Sequence, residues 1–302
     1  MKGVLLLSTP FIVCFGNPVL CTGSQKKSTY MNFSSNTRRY PLHLCQPDGA
    51  KSCGACCGLY NWEDHSRETL ASLLRRRTEL FFSLGETPDL EKYHNLSQPL
   101  SPSPKLCEDI YNCEFLGFVD GAHKRVGCLL HPALHHSVDL RECSFYGAKL
   151  CGEHFCSSFT YLTRMEQEAV VCSLDDWYLY GLVITDIDLV KTFFTHVQNC
   201  LGDCVRVKRL RDVGVQVALH DFFRLKEYWK FVSGEKRLGK YYFSHAEYRI
   251  ARVEYERNLR VKPSRFDKIF LSLSSAFKTE DDIIEAESII EERITKFIEA
   301  YL

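Results

Sequence analysis

Cysteine carries most of the chemistry this sequence offers. Ten of its fifteen cysteines fall between residues 45 and 156. At the centre stands Cys53-Gly54-Ala55-Cys56-Cys57-Gly58, with two thiols three positions apart and a third directly after. Cys45 lies upstream, and Cys107, Cys113, Cys128, Cys143, Cys151 and Cys156 follow. Thiols at this density either chelate metal or pair as disulfides. A Cys-x-x-Cys turn sets two sulfurs at two corners of a tetrahedron around zinc, or as two ligands of an iron–sulfur cluster. Gly54, Ala55 and Gly58 let the backbone close on a metal, so that amide N–H groups point at the thiolates. In an extended segment neighbouring side chains point to opposite faces, which sets Cys56 and Cys57 against sharing one tetrahedral ion. Either one of them is a packed or redox-active thiol, or the two serve different metals. Ten cysteines fill two four-ligand sites with two left over.

Histidine adds candidates. His131 lies three after Cys128, a metal-compatible spacing, although a lone histidine there also suits a cap or the surface. His154 stands two before Cys156, while His135 and His136 are expected to be exposed.

The elements that must position these groups divide near residue 160. Residues 31–62 read as loop with metal ligands. A helix is expected from Asp64 to Leu84, because Leu70, Leu73, Leu74, Phe81 and Leu84 recur at helical spacing and Gly85 suits its end. Arg75, Arg76 and Arg77 then form a solvated face. Residues 86–106, with four prolines, form a connector. Residues 107–160 suit short strands and tight turns.

Beyond that point helical patterns dominate. Thr185-x-x-Asp188 opens a helix to about Asn199, and Val205 to Lys208 alternates as a short strand would. Val215, Leu219, Phe222 and Phe223 mark a helix running toward Trp229. Ser244-x-x-Glu247 precedes a helix from Tyr248 to Leu259, and Ser264-x-x-Asp267 starts another. Thr279-x-x-Asp282 starts the last, whose stripe is Ile283, Ala286, Ile290, Ile294, Phe297 and Tyr301. The fold class is therefore mainly α with an irregular metal-stapled region: a cysteine-rich N-terminal metal-binding domain, 31–160, packed on an all-α C-terminal domain, 161–302.

Net charge is zero, from 38 basic and 38 acidic residues, which removes bulk charge as a reason to expect nucleic-acid binding. No apolar run reaches the roughly 18–20 residues that span a bilayer. Residues 1–30 read either as a leader, disordered or added by a mis-assigned start before Met31, or as an export signal with Cys14 or Cys21 as a lipoprotein anchor. A cytoplasmic home favours thiolates, and export favours disulfides.

The run Cys53-Gly54-Ala55-Cys56-Cys57, then Cys113-Glu114-Phe115-Leu116-Gly117, then Val126-Gly127-Cys128-Leu129-Leu130-His131-Pro132, with Asp139-Leu140-Arg141-Glu142-Cys143 after it, resembles the YkgJ-like zinc- or iron-chelating cysteine-cluster family. The resemblance covers roughly residues 45–156. It implies zinc or iron, the latter as an ion or an iron–sulfur cluster, bound by Cys53, Cys56, Cys57, Cys113 and Cys128. Cys143, Cys151, Cys156 and His131 stand as further candidates. The family pattern sets its first cysteine three or four residues before Cys53. Cys45 lies eight before and so is left out of the ligand set. His131-Pro132 replaces the family's Arg-Pro, and Cys151 to Cys156 is an addition.

Three functions follow from these residues. The first is a cytoplasmic zinc- or iron-binding protein, its metal structural and its helical part a surface for a protein partner. The second is an iron-dependent or methyl-transferring enzyme, since the resembling superfamily includes a flagellin lysine methylase; no Gly-x-Gly nucleotide loop follows a strand here. The third is an exported disulfide protein, which the odd cysteine total and the adjacent Cys56-Cys57 oppose.

Overall fold

Ser66 accepts a hydrogen bond from the Thr69 amide and so starts the first helix, α1, Arg67–Ser83. It buries Leu70, Leu73, Leu74, Arg77 and Phe81. The computed structural model describes residues 42–85, 88–233, 254–255 and 263–302. The expected leader at 1–30 lies outside them, as does the expected helix from Tyr248 to Leu259 except at Glu254–Tyr255, which form a strand and not a helix.

A second helix, α2 (Leu90–Ser97), is capped by Asp89 and packs on α1. A short antiparallel hairpin follows, β1 (Leu116–Phe118) with β2 (Val126–Cys128), in which Leu116 faces Cys128. Two short helices, α3 (Gly147–Glu153) and α4 (Ser157–Tyr161), lead to the helical part. There α5 (Arg164–Ser173), α6 (Trp177–Ile184), α7 (Ile187–Leu201), α8 (Val213–Phe223) and α9 (Leu225–Tyr228) come in succession. The chain ends with α10 (Asp267–Ser272) and the long α11 (Glu280–Tyr301). Between them β4 (Ala276–Phe277) runs parallel to β3 (Glu254–Tyr255). The protein is thus mainly helical, with one small hairpin near the cysteines and a two-residue strand pair among the C-terminal helices.

The largest core lies among α5 to α8, α10 and α11, where Phe193 stacks on Phe222 with ring centroids 4.2 Å apart. Phe297 meets Phe193 edge-on at 5.5 Å. Two smaller cores lie under the cysteines. One joins Tyr60, Trp62 and the α1 leucines to Trp177 and Tyr178. The other joins Phe81, Tyr93, Phe115, Leu129 and Leu130. The cysteine-bearing part and the helical part therefore share side chains. Tyr60 donates to the carbonyl of Tyr178 at 3.0 Å, and Tyr180 donates to that of Leu44 at 2.7 Å.

Gly181 makes the first of these contacts possible, because a Cβ there would overlap the Tyr60 hydroxyl. Gly181→Ala is expected to destabilise the protein by about 1–3 kcal/mol, the usual range for overpacking. Thermal unfolding checks this, and the cost should shrink in a Tyr60→Phe background.

Several expectations need correction. Proline was read as keeping residues 86–106 free of helix, yet α2 forms at 90–97, before the densest prolines. Arg77 was placed on a solvated face and is instead buried, while Arg75 and Arg76 are exposed. Asp186, not Thr185, caps α7, its side chain accepting from the Leu189 amide at 3.0 Å. The segment around Val205–Lys208 is a short 3-10 helix, Val207–Arg211. A strand needs a neighbour for its backbone groups, and here the turn closes locally instead, Arg209 N–H reaching the Arg206 carbonyl at 3.0 Å. The helix expected to run on toward Trp229 divides into α8 and α9. His135 is half-buried, held to the Leu129 carbonyl at 2.6 Å. The last helix keeps its expected stripe and its Thr279/Asp282 capping box.

No helix among the described residues is long and apolar enough to cross a membrane.

Candidate metal centre

The knuckle Cys53–Gly58 is one turn of 3-10 helix, Ala55–Cys57, closed by the Gly58 amide on the Ala55 carbonyl at 2.9 Å. Gly58 has φ of 80°, and a Cβ on it would lie 2.6 Å from the Tyr111 carbonyl oxygen. Gly54 is nearly as confined, with Leu116, Val126 and Leu59 side-chain atoms at 3.0–3.2 Å from a Cβ. The glycines thus let the thiol-bearing turn lie directly on the hairpin and on the 107–113 loop. Gly58→Ala combines left-handed strain with a backbone clash and is expected to cost at least about 2 kcal/mol. Urea unfolding measures it, and a variant as stable as the parent would show that the turn is not held this tightly.

Two buried asparagines hold the loop in place. Asn61 donates to the Cys107 carbonyl at 2.9 Å and to Asn112 Oδ1 at 2.7 Å. Its own Oδ1 accepts from the Cys107 amide at 2.9 Å. This sets the Cys113 amide on the Cys57 carbonyl at 2.9 Å. On the other side the Cys53 amide meets the Cys45 carbonyl, also at 2.9 Å.

Between these segments lies a cavity of about 400 Å³. Cys45, Cys53, Cys56, Cys57, Cys113, Cys128, Cys151 and Cys156 all line it, with Leu44, Phe115, Leu116 and Ile184 supplying apolar wall. His131, Arg141, Tyr146 and His154 also line it. Of the anticipated ligands, Cys53, Cys56, Cys57, Cys113, Cys128, Cys151, Cys156 and His131 therefore come together. Cys143 does not: it is exposed, at the end of the 3-10 turn Arg141–Cys143. Cys107 is also outside the lining. Cys45, set aside on its spacing, is inside it. His131 Nδ1 accepts from the Ala133 amide at 3.2 Å and caps the following turn.

Burial opposes ionisation of most of these thiols. It pushes Cys45 up to about 11, with Cys156 adding to the effect. It raises Cys53 and Cys57 well above the ordinary thiol value and takes Cys113 to about 12. Cys56 is raised chiefly by its hydrogen bond to Cys156, and Cys156 is lowered to about 6 by the same bond. A cation in the cavity would reverse this balance, because a coordinated thiol is deprotonated outright. Arg77 points the same way. It is 4% exposed, donates to the Cys113 carbonyl at 2.9 Å, and leaves its Nε without a hydrogen-bond partner. A buried guanidinium needs negative charge nearby, which a thiolate-bound group beside Cys113 would supply. Arg141, bound to Asp139 through two nitrogens at 2.9 and 2.7 Å, adds a second positive group at the lining.

Among the described residues, no three His, Cys, Asp or Glu side chains converge closely enough to hold a single metal ion. The sulfurs surround a space and do not meet at a point. Sequence reasoning missed Arg77, Asn61, Asn112 and Cys45. Of these only Arg77 left a signal, its place on the apolar stripe of α1. No family model, curated protein or solved structure matches the chain.

Proposed function

We propose that this chain is an iron-binding protein whose cysteine thiolates hold iron–sulfur in the cavity, stapling residues 44–162 to the helical part. The observation that carries the reading is the convergence on one cavity of eight cysteines from five separate stretches of chain. Chance burial of thiols would scatter them among the cores. The choice of iron over zinc rests on spacing. Zinc at about 2.3 Å from each sulfur draws four thiolates to within roughly 3.8 Å of one another. Clusters carry their own sulfide and hold their cysteines farther apart. The cavity is wide and partly apolar, and among the described residues no three donors already form a single-ion site. Such a group contributes folding energy directly and also accepts and returns electrons.

The test is elemental analysis with an absorption spectrum, on protein purified anaerobically without added metal. Iron, acid-labile sulfide and sulfur-to-iron charge-transfer bands are the expected result. Zinc alone would replace iron in the reading. A metal-free protein would overturn it.

A further inference from the structure

The eight cysteines do not form one ring around the cavity. Cys56 and Cys57 are consecutive in a 3-10 turn, where neighbouring side chains leave the axis about 120° apart. They face different companions. Cys56 is in hydrogen-bond contact with Cys156, and Cys53 is tied by its amide to Cys45. Tyr180, whose hydroxyl holds the Leu44 carbonyl, flanks this group. Cys57, by contrast, takes the Cys113 amide on its carbonyl. The hairpin, with the Leu129 amide on the Phe115 carbonyl at 2.8 Å, brings Cys128 to the same side. Cys57, Cys113 and Cys128 all pack on the core of Phe81 and Tyr93. Cys151, 3.6 Å from Ser144 Oγ, completes the second group.

We infer that the cavity holds two separate iron–sulfur groups, the first on Cys45, Cys53, Cys56 and Cys156 and the second on Cys57, Cys113, Cys128 and Cys151, divided at the Cys56–Cys57 peptide. This rests on the cavity being a thiolate iron centre, as proposed above. It adds the number of groups and assigns every lining cysteine. Each group receives four thiolates, the complement a cubane cluster takes. Cys107 and Cys143, the two cysteines of this region outside the lining, are the two left over.

The experiment uses the full chain, with Cys156→Ala and Cys151→Ala as one substitution from each group. Both sit at short helices beside the cavity and outside the buried knuckle. Iron and sulfide are counted per chain after anaerobic purification, with far-UV circular dichroism to verify folding. The wild-type protein is expected to carry about eight iron atoms. Each single variant should lose half of them, a twofold fall, and the double variant should lose all. Complete loss from a folded single variant, or full retention in either, would overturn the division. A wild-type content of about four iron atoms would overturn it while leaving the iron reading intact. Absence of iron from the wild type would overturn both. If a variant does not fold, the wild-type count alone decides between one group and two.

Discussion

Stripping the proposed iron–sulfur is expected to be the most damaging single treatment of this protein. Structural thiolate metals contribute on the order of 10 kcal/mol of apparent folding energy in small zinc domains. Here the dependence has visible causes. Residues 98–146 contain two three-residue strands and three short 3-10 turns, little of it self-supporting. Without a cation the cavity buries thiols that resist ionisation, and Arg77 stays buried with its Nε lacking a hydrogen-bond partner, opposed by burial more than it is helped by Glu114. A loss of even about 5 kcal/mol corresponds to a fall in Tm of roughly 10–20 °C. Chelator or mild oxidant applied anaerobically, followed by thermal unfolding and hydrogen exchange, measures this. Protection should vanish first across 44–62 and 107–156 and persist in α7, α8 and α11. An unchanged Tm in fully metal-free protein would remove the stapling role.

The second large effect lies far from the cysteines. Asp186 is 2% exposed and holds Lys226 Nζ at 2.6 Å, the Ser272 hydroxyl at 2.9 Å and the Leu189 amide at 3.0 Å. One carboxylate thus caps α7, neutralises a buried ammonium and ties α9 to α10. Asp186→Ala leaves Lys226 charged and buried, and breaking such a pair costs about 3–5 kcal/mol. The double variant Asp186→Ala/Lys226→Met removes the stranded charge and is expected to recover a good part of that loss. Urea unfolding of the two singles and the double gives the coupling directly. A single variant within about 1 kcal/mol of the parent would show that solvent reaches the pair.

Particular residues show what the chain itself discloses. The last helix was legible because three signals agree on it: Thr279 and Asp282 cap it reciprocally, its apolar stripe has a single period, and no proline intervenes. Cys56 and Cys57 were read on an extended segment with opposed side chains; they stand instead in a 3-10 turn, where adjacent side chains leave the axis about 120° apart. Arg77 was misread by its type. It stands with Arg75 and Arg76, yet it lies seven after Leu70, four after Leu73 and three after Leu74, on the buried stripe. Periodicity outranked charge there. Cys45 was set aside because it lies eight before Cys53, where the resembling family has three or four, yet it lines the same cavity. The eight-residue loop folds back so that Cys45 and Cys53 share a hydrogen bond. The asparagine clamp had no local pattern to disclose it, since Asn61 and Asn112 meet only after the loops between them have folded. Asp186 and Thr185 were rival caps in sequence. Lys226 and Ser272, 40 and 86 residues away, favour the acid.

The contact of Tyr60 with α6 also sets a clock. Tyr60 and Tyr178 are 118 residues apart, and Leu44 and Tyr180 are 136 apart. At a synthesis rate of about 5–20 residues per second, the thiols of the Cys45–Cys57 segment leave the ribosome roughly 6–27 seconds before the helix that covers them. Throughout that interval Cys45, Cys53, Cys56 and Cys57 stand open to water, as ordinary thiols, while half of their future wall does not yet exist. The nascent chain is therefore at its most vulnerable to oxidants before it has a fold. Translation speed then governs how long these thiols stay uncovered.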